Sequence, residues 1–152
     1  MKKILVCLLI CFALLGCKKE HDTSIYDEMI LEIRDYQDYK TKSENFESKL
    51  YVSQLEENRY QYDVVINHPK VKMDDVRAIV ICESEQGYVY PSFGFEEGEH
   101  CYLYPDYIDQ ENNYYEGIRL SGISKKDKVV CRLYITYHIN QEIVEEYIIL
   151  EG

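Results

Sequence analysis

The sequence predicts a mainly β protein built as an antiparallel sandwich, and three observations carry the prediction. From Leu50 onward apolar residues recur at every second position, the period of a half-buried strand. Six such runs are set apart by segments rich in turn residues such as Asn58, Pro69 and Asn140. Tyrosine, a good strand former, supplies 16 of the 152 residues, beside 4 Phe and no Trp.

The chain opens on Lys2 and Lys3, followed by Ile4–Leu15, an uncharged run of 12 residues. Crossing a bilayer takes about 20 apolar residues, whereas about 10–14 suit the apolar region of an export signal. The run stops at Leu14-Leu15-Gly16-Cys17, and polar Lys18-Lys19-Glu20-His21-Asp22 follows at once. This quartet resembles the lipobox of bacterial membrane lipoproteins. The resemblance implies a signal peptide over 1–16, cleavage before Cys17, and diacylglycerol on the Cys17 sulfur. It places the remainder on the extracytoplasmic face of the cell membrane, held by lipid. Two acyl chains hold a protein stably where one holds it marginally, at about 0.8 kcal/mol per buried CH2. An uncleaved anchor, or a buried helix with an incidental cysteine, is the competing reading.

Residues 17–48 are charged and carry neither Gly nor Pro. Ser24-Ile25-Tyr26-Asp27 resembles a capping box, and Ile25, Met29, Ile33, Tyr36 and Lys40 recur at helical spacing. The pattern predicts an amphipathic helix over 25–39, or a semi-ordered tether, ahead of the domain at 49–152. A first strand through Met29–Ile33 is the alternative.

Leu50–Leu55 and Arg59–Ile66 flank Glu56-Glu57-Asn58 and predict a hairpin. Pro69 has no N–H to give and keeps His68 out of helix, so Asn67–Lys70 ends the second strand. Val76–Glu83 is apolar on nearly both faces and reads as a central strand. Residues 84–113 are irregular, with short apolar pieces at Tyr88–Tyr90, Phe93–Phe95 and Cys101–Tyr104, and read as the connection crossing between sheets. Strands resume at Tyr114–Ser121, Lys128–His138 and Glu142–Leu150, the last two joined through Ile139-Asn140-Gln141. Turn-sized spacings between these strands suggest an immunoglobulin-like sandwich, without the Cys…Trp…Cys core of true immunoglobulin domains. In general style the body resembles small uncharacterised lipoproteins of low-GC Gram-positive bacteria, with no specific family indicated.

Cys7 and Cys11 leave with the signal, and Cys82, Cys101 and Cys131 remain where disulfides are permitted. Cys82 and Cys131 fall in apolar strands, which favours buried thiols, with a Cys82–Cys131 bridge across the sandwich as the alternative. His100-Cys101 is the only local hint of a catalytic cysteine, and neighbours in a strand point to opposite faces.

The formal net charge is −11. Removal of Lys2 and Lys3 leaves 15 basic residues against 28 acidic ones, a balance of −13. Nucleic acid and anionic lipid headgroups are therefore poor electrostatic partners, and a cationic or neutral protein is a better one.

Gly87-Tyr88-Val89-Tyr90-Pro91 is echoed by Cys101-Tyr102-Leu103-Tyr104-Pro105, and seven of the 16 Tyr lie between Tyr88 and Tyr115. Tyrosine offers large, rigid, amphipathic contact area, so Tyr88, Tyr90, Tyr102, Tyr104, Tyr107 and Tyr114 form the candidate binding surface. Ordinary cross-strand packing is the competing account of these rings. Asp106, Asp109, Glu111 and Asn112 lack the spacing of a calcium loop and read as an acidic turn. No metal-ligand pair, phosphate loop or Ser/His/Asp set occurs at an informative spacing, so neither metal, cofactor nor enzymatic activity is expected. The sequence thus points to a lipid-anchored, non-enzymatic protein-binding module, such as an immunity, exclusion or envelope-complex component. A small-molecule or glycan binder is the first alternative and a secreted hydrolase the second.

Overall fold

The computed structural model describes residues 23–84, 90–96 and 98–152. A helix, α1, spans Thr23–Asp35. The strands are β1 (Glu47–Glu56), β2 (Arg59–Asn67), β3 (Asp74–Cys82), β4 (Ser92–Phe93), β5 (Gly117–Ser124), β6 (Val130–Ile139) and β7 (Glu142–Glu151). They form two antiparallel sheets of order β1-β2-β5 and β4-β3-β6-β7. The side-chain period of two sends Val64, Ile66 and Leu120 from one sheet into a single buried cluster with Val80, Leu133 and Ile135 from the other. A β-sandwich is the result, as the alternation predicts.

Local residue chemistry sets the turns. Asn58 closes the β1–β2 hairpin at a φ of +57°. Asn140 and Gln141, at +49° and +72°, join β6 to β7 in the two-residue turn whose left-handed backbone matches strand twist.

Strand β3 is central, between β4 and β6, and the structure shows why both its faces are apolar. Val76, Ala78, Val80 and Cys82 enter the core between the sheets. Ile79 and Ile81 instead join Ile30, Ile33, Tyr90 and Tyr134 in a second cluster on the outer face, covered by α1. The helical alternative for residues 25–39 is the one that forms, and the strand at Met29–Ile33 is not.

Several boundaries differ from expectation. The helix stops at Asp35 because the chain pairs with a sheet edge a few residues later. The Lys40 N–H donates to the Tyr147 carbonyl at 2.9 Å, and its carbonyl accepts from the Ile149 N–H at 2.8 Å. Ser43 and Phe46 follow it into the interior. Much of the segment expected as a tether before residue 49 is therefore packed against the sandwich.

The irregular stretch works as expected, as the crossing between sheets. Ser92–Phe93 and 101–103 cover one edge of β3 in two pieces, through Val80 N–H to the Pro91 carbonyl and Val76 N–H to the Cys101 carbonyl, both 2.9 Å. The chain then passes to β5, which starts at Gly117 because Tyr114 and Tyr115 are engaged elsewhere. Cys82, Cys101 and Cys131 are all buried. Cys82 and Cys131 are direct cross-strand partners in one sheet, so the pair does not reach across the sandwich as the sequence alternative had it.

Candidate functional site

After Leu103 the chain leaves the β3 edge and folds back on itself. Asp106 takes a φ of +55°, a 3-10 turn covers Gln110–Asn112, and Asn113 at +65° redirects the backbone. Asp and Asn tolerate this region better than other side chains, so the turn is written in the residue types. Asp109 and Tyr114 close the loop with reciprocal backbone bonds of 3.0 and 2.9 Å. Tyr102 and Tyr115 exchange a further bond at 3.0 Å, which lays Tyr114 beside Tyr102.

This path gathers four rings. Tyr102 stacks on Tyr114 at 4.9 Å, while Tyr104 and Tyr107 meet Tyr114 edge-on at 4.9 and 5.0 Å. Edge-to-face packing satisfies the ring quadrupoles and helps hold the rings in place. The Tyr104 hydroxyl donates to Asp74 Oδ1 at 2.6 Å, and that bond, with burial, pushes its pKa well above the ordinary tyrosine value. The Lys72 ammonium lies 5.2 Å from the centre of the Tyr104 ring, within cation–π range. Lys72, Tyr104, Pro105, Tyr107 and Tyr114 line a cleft of about 340 Å³. Beside it Tyr107 and Ile108 are 48% and 55% exposed. A further cleft, of about 330 Å³, opens among Val65, Asn67, Gln110, Tyr115 and Arg119. Adjacent Tyr114 and Tyr115 thus line two different clefts.

Of the residues singled out in sequence, Tyr102, Tyr104, Tyr107 and Tyr114 come together and Tyr90 does not. Tyr90 is 5% exposed in the cluster under α1, where Arg34 donates to its hydroxyl and lies over its ring. Tyr90 and the Tyr102–Tyr104 pair of the echoed phrase therefore serve different faces. Tyr88 and Cys17 lie outside the described residues.

The acidic turn spends its oxygens internally. Asp109 Oδ2 accepts from Asn112 Nδ2 at 2.7 Å and from the Tyr107 hydroxyl at 3.4 Å. Among the described residues no group of three or more His, Cys, Asp or Glu is placed to hold a metal. Asp74 and Asp75 diverge: the first binds Tyr104, and the second binds Arg77 at 2.9 Å and His100 at 3.2 Å. His100 points away from Cys101, whose thiol is pushed up to about 12 by burial and then by Glu99. A thiol held neutral is a poor nucleophile.

Sequence reasoning missed Lys72, which carries no local pattern and reaches Tyr104 only because Met73 pairs with Leu103. It also missed a second aromatic group, in which Tyr36 stacks on Tyr147 at 3.8 Å and Tyr134 packs against Tyr147 at 4.9 Å. Tyr134 and Tyr147 are register partners on β6 and β7, a relation visible only once the hairpin is aligned. The Tyr147 hydroxyl donates to Glu32 at 3.1 Å, so this group fastens the helix to the sheet.

No family model matches the chain. No curated protein matches it either. Among solved structures, a crystal structure of a protein from Archaeoglobus fulgidus is similar with a TM-score of 0.33 and 10% identity, over 70% of this chain and 94% of that one.

Proposed function

We propose that the protein is a lipid-anchored extracytoplasmic module that binds another protein through the tyrosine-lined loop at 104–114 and performs no chemistry of its own. The observation that carries this reading is the exposed pair Tyr107-Ile108 beside a cleft walled by Tyr104 and Tyr114. Binding residues on a loop that a rigid sandwich positions are a common design. Rings already packed against one another lose little freedom on contact, which favours association. The strand order β1-β2-β5 and β4-β3-β6-β7 supports an immunoglobulin-like reading of the sandwich, a frequent architecture for surface recognition.

The Leu14–Cys17 quartet supports the anchor and the address at the outer face of the cell membrane. With α1 starting at Thr23, only residues 18–22 separate Cys17 from the helix. Five residues extend at most about 18 Å, so the domain stands close to the lipid rather than on a long stalk. The partner is then a protein that itself comes near the membrane, as a toxin met by an immunity factor or an envelope component would.

The test is capture of partners with the acylated protein from its own cells, comparing the native chain with Tyr107→Ala/Ile108→Ser. A partner lost with the double variant is the expected result. Equal capture by both, or mass spectrometry showing an unmodified thiol at Cys17, overturns the loop or the anchor respectively.

A further inference from the structure

The cleft beside Tyr104 already holds a cation of its own. Lys72 is exposed, lies 5.2 Å over the ring, and lines the cleft together with Tyr107 and Tyr114. The ring beneath it is unusually electron-rich, because its hydroxyl donates to the Asp74 carboxylate and the negative charge pushes density into the π face. A ring face of that kind attracts an ammonium or guanidinium more strongly than an isolated tyrosine does. Asp106 and Asp109 stand on the same loop, and the whole chain carries −11. Lys72 is thus a cation lining the cleft of an acidic chain, placed where a guest cation would sit.

We infer that this cleft recognises an arginine or lysine side chain of a basic partner segment, and that Lys72 is an internal occupant which the guest displaces from Tyr104. The inference rests on the protein-binding reading above and names the chemistry of its partner. A guanidinium lies flat on the Tyr104 face, with Tyr107 and Tyr114 walling its aliphatic stem and the Asp74 carboxylate, bonded to the Tyr104 hydroxyl, behind the ring as counter-charge. Arginine suits this geometry better than lysine, since its planar, weakly hydrated head stacks on aromatic faces.

Displacement makes a prediction with a definite sign. Removing Lys72 frees the ring and removes a like charge, so a cationic guest binds tighter. An anionic guest loses its attractor, and a sugar loses a hydrogen-bond donor, so both bind weaker.

The experiment uses the full chain with ring-labelled tyrosine in a nonionic detergent, titrated by NMR with tri-arginine, tri-glutamate and chitotriose. Tri-arginine is expected to shift the Tyr104, Tyr107 and Tyr114 ring signals saturably, with an effect that weakens as salt is added. Lys72→Ala is expected to tighten it roughly two- to fivefold, the weight of an exposed cation–π contact. Tyr104→Phe, which keeps the ring and loses the Asp74 bond, weakens it while leaving the remaining tyrosine signals in place.

Weaker tri-arginine binding in Lys72→Ala overturns the inference. So does a saturable shift with tri-glutamate alone, although the protein-binding reading survives that result. A shift with chitotriose alone removes both. No shift with any probe overturns the cation site and leaves partner capture to decide the broader reading.

Discussion

The Tyr137 hydroxyl, on β6, donates to Glu146 Oε1, on β7, at 2.6 Å in the interior of the sandwich. Glu146 is 3% exposed and accepts also from Ser43 Oγ at 2.7 Å, with the Lys40 ammonium 3.4 Å from its other oxygen. Asn45 Nδ2 donates to the Tyr137 hydroxyl at 2.7 Å. A carboxylate tolerates burial only with such partners, and here two of them, Lys40 and Ser43, come from the segment joining α1 to β1, while Asn45 of the same segment holds Tyr137. The bond between Tyr137 and Glu146 is therefore where that segment is fastened to the second sheet.

Tyr137→Phe removes one donor from Glu146 and the acceptor of Asn45. Leaving buried polar groups unsatisfied costs about 1–3 kcal/mol. A lowered urea midpoint with an unchanged slope is expected, and an unaltered midpoint would show that water replaces the hydroxyl without loss.

This bond and those of Tyr134 to Glu145 and Tyr147 to Glu32 fix the response to alkali. Burial first and Glu146 second push the Tyr137 pKa up, and burial with the Glu145 and Glu32 carboxylates does so for Tyr134 and Tyr147. A group whose folded pKa lies above its unfolded value stabilises the fold fully below the unfolded value of about 10. That contribution is lost as pH climbs through the higher folded values. The share of tyrosinate absorbance due to Tyr134, Tyr137 and Tyr147 should appear only together with unfolding, and its full appearance while the chain is still folded would contradict the structure.

Gly122 on β5 lies opposite Tyr62 on β2, and a Cβ there would stand 2.2 Å from the Tyr62 hydroxyl oxygen and 2.3 Å from the ring carbon bearing it. Tyr62 is fully buried and its ring occupies the space a side chain would need. Gly122→Ala is expected to destabilise by about 1–3 kcal/mol through overpacking. The penalty should shrink when Tyr62→Leu is added, and additive losses in the double variant would refute the contact as its cause.

Ile33, fully buried in the cluster under α1, distinguishes a packed helix from a tether. Ile33→Ala should cost about 2–5 kcal/mol, whereas Leu31→Ala, at a residue 58% exposed, should cost little. Equal effects at the two sites would mean that the helix does not hold to the sheet in solution.

Cys101 offers a chemical check on the edge of β3. Buried, with its thiol pushed up to about 12, it should resist iodoacetamide at neutral pH and be alkylated only as fast as the protein opens. Rapid labelling of the folded chain would show that the 101–103 segment lifts from β3.

The strands and hairpins were legible because alternation and turn residues are local. Arg59–Ile66, Val129–His138 and the Asn140 turn can each be read within ten residues. The four tyrosines at 102, 104, 107 and 114 were legible as a group because one short loop carries them all. Tyr90 was misplaced with them, since its repeated phrase looks the same in sequence whichever face of β3 it meets. The apolar outer side of β3, Ile79 and Ile81, marked the strand as covered on both faces without saying by what.

Taken alone, the sequence determined the sandwich, its hairpins and the acidic, tyrosine-rich character of the crossing segment. Tertiary structure alone decided that α1 covers β3, that Lys40 pairs with the β7 edge, that Glu146 is buried among donors, and that Lys72 sits over Tyr104. The division has a physical cause. Backbone period and turn preference are set by a residue and its neighbours, whereas these contacts, the Tyr137–Glu146 bond apart, join positions from 32 to more than 100 residues apart and exist only once strand register has been fixed.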